Sequence, residues 1–193
     1  MSAPEGHYGV RPKVHLGSVS ADVLELIARP GRTAEPAQAA LGIPLPVSGA
    51  IAVGGDHIVI ATRPERWLLL APSGLPGARA AAWHVACAGC AVVVDLSSGL
   101  GVFHLSGGAA REMLSRGCRL DLHPAAFPPR RAAATLIAQV PVTLATLAAG
   151  VLLLTPATFA AHFAEWLDTT AAPYGGVAAH SLPFPSLLGE ATT

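Results

Sequence analysis

Apolar residues along this chain recur in two rhythms, alternate positions in short bursts and helical spacing in longer ones, and the two rhythms take turns. Alternation predicts a strand near 23–29, and helical spacing then predicts a helix at 33–41. A long hairpin run follows through 50–53, 58–62 and 67–71. A second helix over 77–88 stops at Gly89, as a glycine beyond the last turn does. Strands at 91–96 and 101–105 come next, then a helix at 108–116 with Ser106 placed to cap it. Ala109, Ala110, Met113 and Leu114 make its buried stripe. Strands near 135–147 and 151–154 and a helix from Pro156 to about Asp168 complete the pattern, with Phe159, Phe163, Trp166 and Leu167 as the core stripe of that helix. Residues 1–21 and 173–193 are rich in Pro, Gly and Ser without periodicity, and read as an arm and a tail.

The pattern repeats. Trp67-Leu68-Leu69-Leu70-Ala71-Pro72 corresponds to Val151-Leu152-Leu153-Leu154-Thr155-Pro156 at an offset of 84 residues, each a strand running into a helix. Pro30-Gly31-Arg32-Thr33-Ala34 corresponds to Ser106-Gly107-Gly108-Ala109-Ala110 at an offset of 76, and the difference fits an insertion within 119–131. The chain therefore reads as a weak internal duplication, with pseudo-repeats at about 22–89 and 90–172 inside a single α+β domain spanning 22–172. Mostly antiparallel strands with helices packed on one side of each sheet make two fused ferredoxin-like halves the expected architecture.

Composition narrows the function. Twelve basic and twelve acidic residues leave no net charge, so nothing pulls the chain toward nucleic acid. Charged residues make up only 12% of the chain, about half the usual share. A compositional bias, one lysine against eleven arginines with abundant alanine, accounts for part of that deficit. Surface hidden by partners accounts for the rest, because interface cores are depleted in charge. The opening MSAPEGHYGVRPK has no apolar core before a small-residue cleavage site, which implies a cytoplasmic address. Cys87, Cys90 and Cys118 are too few and odd in number for a secreted disulfide framework, so reduced thiols are expected. The stretch 132–164 carries no formal charge and is long enough to span a bilayer. Gln139, Pro141, Gly150 and Pro156 divide it into pieces of strand length and a helix, so no membrane span is expected.

Several constellations invite chemistry and each has a plainer explanation. His84-x-x-Cys87-x-x-Cys90 resembles a fragment of a zinc site, which Cys118 and His123 complete only if the fold brings them close; small buried thiols are the plainer reading. Gly99-x-Gly101 follows a strand, but a dinucleotide site needs a helix where this chain begins another strand, so a tight hairpin at Ser97, Ser98 and Gly99 is expected. Ser106-Gly107-Gly108 at a helix start offers amides to an anion, or simply a cap. Asp121 and His123 alternate with Leu120 and Leu122 and share one face of an extended segment, as an acid/base pair or a polar loop would. Arg130 and Arg131 after Pro128-Pro129 suit a phosphate, a carboxylate or a salt bridge to a neighbouring subunit.

Beyond these patterns, the chain resembles the gamma subunit of heterotetrameric sarcosine oxidase. The resemblance is carried by Arg29 to Ala34, Trp67 to Pro72, Asp95-Leu96-Ser97-Ser98-Gly99, the run Arg111-Glu112-Met113-Leu114-Ser115-Arg116-Gly117-Cys118, Leu120-Asp121-Leu122-His123-Pro124 with Phe127-Pro128, and Phe159 to Leu167. It covers about 20–170 and leaves out both tails. That family is similar in fold to the folate-binding half of the glycine-cleavage T-protein, in agreement with the duplicated α+β reading. The resemblance implies a complex that demethylates sarcosine to glycine, forms hydrogen peroxide and passes the one-carbon unit to tetrahydrofolate. It implies alpha, beta and delta subunits as partners, with FAD, FMN, NAD, tetrahydrofolate and zinc held by them. It carries no catalytic residue over to this chain.

A noncatalytic assembly subunit is therefore the leading expectation. The alternative is an independent folate-binding or one-carbon-transfer protein, with a polar pocket near Asp121, His123 and Arg130. The third is a regulatory module that binds an amino acid between its halves, for which only the architecture speaks.

Overall fold

The computed structural model describes residues 13–32 and 35–188. Its elements run β1 (His15–Val19), β2 (Ala21–Ala28), α1 (Glu35–Leu41), β3 (Ile51–Gly54), β4 (His57–Arg63), β5 (Arg66–Pro72), α2 (Ala78–Ala86), β6 (Ala91–Asp95), β7 (Leu100–Ser106), α3 (Ala110–Ser115), β8 (Ala132–Ile137), β9 (Val140–Leu147), β10 (Gly150–Pro156), α4 (Ala157–Ala171) and β11 (Val177–Leu182), with short 3-10 turns at Ala172–Tyr174 and Phe184–Leu187.

The strands form two sheets, β3-β4-β5-β2-β6 and β8-β9-β10-β7-β1-β11. All neighbours are antiparallel except β1 and β11. The apolar residues assign the layers. Val23, Ile58, Ile60, Leu68 and Leu70 of the first sheet meet Val102, Leu147, Leu152 and Leu154 of the second in one core, so the sheets pack face to face. Leu24, Leu26, Val59, Leu69 and Val93 point the opposite way, under Ala37 and Leu41 of α1 and Ala80 and Trp83 of α2. Phe103, Leu105, Leu144 and Leu153 point outward under Met113 and Leu114 of α3 and Phe163 and Leu167 of α4. The order is helices, sheet, sheet, helices. Strands covered on both faces must be apolar at every position, which is why Leu68-Leu69-Leu70 and Val151-Leu152-Leu153-Leu154 are unbroken runs. Each fully buried Leu, Ile or Val contributes about 1.5–3 kcal/mol of transfer free energy.

The duplication is visible in the topology. The series β2-α1-β3-β4-β5-α2 has the same order and pairing as β7-α3-β8-β9-β10-α4, and the matched runs Trp67 to Pro72 and Val151 to Pro156 are β5 and β10. Leaving out the edge strand β3, the order β6-β2-β5-β4 is that of a ferredoxin-like unit. The strand before each series is exchanged. β1 precedes β2 but pairs with β7, and β6 precedes β7 but pairs with β2.

Several expectations are corrected. Part of the expected arm is β1 and part of the expected tail is β11, both in the six-stranded sheet, where pairing along the backbone offsets their weak apolar pattern. Residues 1–12 and 189–193 of those stretches, and Thr33 and Ala34 of the helix expected at 33–41, lie outside the described residues. The turn at Ser97, Ser98 and Gly99 is no hairpin, because β6 and β7 belong to different sheets. Ser106 closes β7 instead of capping α3, whose first flanking residue is Ala109 and makes no side-chain cap. Phe159 is 42% exposed and stands outside the core stripe of α4. The uncharged stretch 132–164 becomes β8, β9, β10 and the start of α4; β8 turns into β9 at Ala138 and Gln139, both at positive φ, as a two-residue hairpin requires. Among the described residues no helix is long and apolar enough to cross a membrane.

Candidate functional site

Both sheet-to-sheet crossings lie at one side of the molecule. Ser20 links β1 to β2, the segment 96–99 links β6 to β7, and a cavity of about 480 Å3 opens between them. Ser18, Ser20, Asp22, Ser73, Ser97 and Ser98 supply the polar side chains of its lining. Gly101 belongs to its apolar floor: a Cβ there would stand 2.7 Å from Cβ of Ala160, so the glycine lets α4 approach β7. Close packing therefore explains the second glycine of Gly99-x-Gly101.

Asp22 is held on both carboxylate oxygens. The amide of Gly74 donates to Oδ1 at 3.3 Å and Arg79 Nε donates to Oδ2 at 3.0 Å, while Arg79 Nη2 donates to the Pro72 carbonyl at 2.9 Å. Ser97 Oγ accepts from the Val23 amide at 3.1 Å and donates to Asp95 Oδ1 at 2.6 Å, which also accepts from the Ser97 amide at 2.9 Å. These two hydrogen bonds hold the Asp95 carboxyl below its ordinary range. The result is a fixed frame of hydroxyls and backbone groups. Asp22 is the one charged residue of the cleft lining, and its carboxylate is paired with Arg79.

The sequence candidates fall in three separate places. Asp121 and His123 border a second cavity, of about 550 Å3, between α3 and the 118–124 loop. Arg111 Nη1 clamps that loop, donating to the carbonyls of Leu122 and Phe127 at 2.7 Å each. Asp121 Oδ1 accepts from the His123 amide at 2.9 Å, and His123 Nδ1 accepts from the Ala125 amide at 3.3 Å. Both side chains thus shape the loop, as Asx-type turns do. Arg130 is not among the residues around that cavity. It turns the chain at φ +63, its amide donates to the Thr146 carbonyl at 2.8 Å, and its own carbonyl accepts from the Ile51 amide at 3.1 Å. That last bond joins the two sheets at their β3 and β8 edges.

His84, Cys87 and Cys90 lie at and beyond the end of α2. His84 is exposed, whereas both thiols are buried, and Cys90 Sγ donates to the Cys87 carbonyl at 3.3 Å. Burial and the neighbouring Cys90 push the Cys87 thiol up to about 11, away from the thiolate that a metal binds. Among the described residues no group of three or more His, Cys, Asp and Glu is placed to hold a metal ion.

Sequence reasoning missed two polar features. The Asp22–Arg79 pair joins β2 to α2 across 57 positions, and only Asp22 within the apolar stretch of β2 hinted at it. His104 of β7 is 5% exposed with Nε2 unpartnered, and burial lowers its pKa despite a hydrogen bond to the Ala149 backbone. It had no signal beyond its place in an apolar strand.

Comparison with known proteins places this geometry. A solved chain of heterotetrameric sarcosine oxidase from Corynebacterium sp. U-96, in complex with pyrrole 2-carboxylate, superposes with a TM-score of 0.76 at 30% identity over 89% of each chain. The aminomethyltransferase T of the glycine cleavage system from Bartonella henselae shares the fold, with a TM-score of 0.61 at 17% identity over 88% of this chain and 48% of that one. Sarcosine oxidase subunit gamma of an Arthrobacter species is 37% identical over 59% of this chain and 56% of its own length. The corresponding subunit of Corynebacterium sp. strain P-1 is 36% identical over 66% of this chain and 64% of its own, so the matched stretches span little more than half of these relatives. A family profile described as sarcosine oxidase, gamma subunit family matches residues 27–173, most of the chain, and this chain belongs to that family.

Proposed function

We propose that this chain is a noncatalytic subunit of a heterotetrameric oxidase acting on sarcosine or a related N-methylated amine. Its role is to assemble and support the larger subunits. The partners are alpha, beta and delta subunits, which hold FAD, FMN, NAD, tetrahydrofolate and zinc, and the complex works in the cytoplasm. The observation that carries this reading is the match over 89% of both chains to a chain of a heterotetrameric sarcosine oxidase. The crossing-strand cleft agrees with it, because Asp22, the one charged residue of its lining, is taken up by Arg79 and the Gly74 amide. Co-purification tests it: tagged chain recovered from its own cell brings down flavin-containing subunits with sarcosine-dependent peroxide formation. Recovery of the chain without flavoprotein subunits refutes it.

A further inference from the structure

The internal duplication leaves one place unfilled. In the six-stranded sheet β1 stands next to β7, and β11 adds beyond it, parallel to β1, with His15 opposite Val177 and Leu16 opposite Ala178. In the five-stranded sheet β6 holds the corresponding place next to β2, and among the described residues no strand pairs with its far edge.

That edge is built for pairing. Val92 faces Ile27 and Val94 faces Glu25 across the β2 ladder. The flanking pairs are hydrogen-bonded, Arg29 N–H to the Cys90 carbonyl and Leu96 N–H to the Val23 carbonyl, both at 2.8 Å. Antiparallel ladders alternate, so the backbone groups of Val92 and Val94 turn toward β2 and the N–H and C=O of Val93 turn outward. The Val93 side chain is buried under α2, while Val92 and Val94 are 41% and 37% exposed. No charge, proline or bulge interrupts β6 before Asp95, so the devices that normally keep an edge unpaired are missing. Exposed Arg29 stands beside the start of the strand and exposed Asp95 ends it.

We propose that the outer edge of β6 is a strand-addition site for an extended segment of a partner subunit, running parallel to β6, with apolar side chains at alternate positions against Val92 and Val94. That segment is acidic toward its start, by Arg29, and basic toward its end, by Asp95. The direction follows β11, which occupies the equivalent edge within this chain. A second copy docking through the same edge by two-fold symmetry would run antiparallel instead. Backbone pairing supplies the affinity and the two valines the selectivity, as in other strand additions. The proposal rests on the subunit reading.

Hydrogen exchange and a paired substitution test it. In the purified assembly the Val93 amide exchanges at least about tenfold more slowly than in the free full-length chain, because it gains a partner there. The double variant Val92→Lys with Val94→Lys changes only exposed side chains. It melts like the unsubstituted chain and recovers less than about a tenth of the partner subunits, a loss of at least about 1.4 kcal/mol. An assembly in which β6 exchanges as fast as in the free chain, or in which the double variant is recovered with its partners in full, overturns strand addition and leaves the subunit reading standing. Protection in the free chain that rises with its concentration assigns the edge to a second copy and also overturns the proposal. If the tagged chain recovers no flavoprotein subunit, both fall.

Discussion

The duplication supplies a controlled experiment on two glycines. Gly31 and Gly107 are equivalent in the matched runs and both have positive φ, +71 and +101. A Cβ at Gly31 would meet nothing within 4 Å, whereas at Gly107 it would collide with the carbonyl oxygen of Lys13 and lie 3.0 Å from that carbonyl carbon and 3.3 Å from Cα of Val14. All of those atoms are backbone at the entrance to β1, so relief requires β1 to move. Gly31→Ala therefore meets only the left-handed penalty, about 1 kcal/mol. Gly107→Ala adds a harsher backbone conformation, about 1–3 kcal/mol, and disturbs Val14, which is fully buried, for about a further 1.5–3 kcal/mol. At about 2–4 °C per kcal/mol for a chain of this size, Gly31→Ala lowers the melting temperature by about 3 °C, and Gly107→Ala, at about 4 kcal/mol, by about 8–16 °C. Circular dichroism melting of the two purified variants measures both. Equal losses, or a larger loss for Gly31→Ala, would refute the placement of β1 against the end of β7.

Other outcomes follow from the core and the buried titratable groups. Phe163 is fully buried, edge-on to Phe103 at 5.7 Å and stacked on Trp166 at 6.0 Å. Phe163→Ala costs about 3–5 kcal/mol, read by urea unfolding, and a loss below about 1 kcal/mol sinks the assignment of α4 to the six-stranded sheet. Burial lowers the pKa of His104 and His57, for His57 against the pull of Asp56. The unfolded chain therefore takes up the protons first: stability is full above pH ~6.5 and falls as pH drops through that value toward the depressed folded ones, by up to about 1.4 kcal/mol per pH unit for each imidazole. Urea unfolding at a series of pH values tests this. A His104→Leu variant shows a shallower acid loss, and an undiminished one disproves the role of His104. Cys87, with its thiol near 11, resists a thiol reagent at mildly alkaline pH until the chain unfolds. Rapid modification of Cys87 in the folded chain, mapped by peptide mass, contradicts its burial.

Much of the fold was legible in the chain because its central strands are covered on both faces, and such strands announce themselves as unbroken apolar runs. The repeat of Trp67 to Pro72 at Val151 to Pro156 was readable for the same reason. What escaped depends on pairing between distant segments. His15–Val19 alternates too weakly to stand out and becomes a strand only because β7 and β11 flank it. The turn at Ser97 has hairpin composition, and only the location of the two sheets shows that its flanking strands part there. The sites fared similarly. The local geometry of Asp121 and His123 was readable from their spacing. The separation of Arg130 from them was not, since it depends on hydrogen bonds to Thr146 and Ile51. Asp22 and Arg79 meet through tertiary structure alone.

The exchange of β1 and β6 sets an order on biosynthesis. The five-stranded sheet has all its strands once β6 has been made, so its core can consolidate while the rest of the chain is still in the ribosome. β1 is synthesised first of all the described strands, yet one of its partners, β7, follows only after the whole five-stranded sheet, and the other, β11, is the last described strand to be made. Leu16 and Val14 must wait without a partner strand until the five-stranded sheet has been made and β7 follows it. Contacts so distant in sequence close slowly. A nascent chain stalled before β7 therefore presents a half-built protein with a sticky front end, the kind of intermediate that holding chaperones recognise.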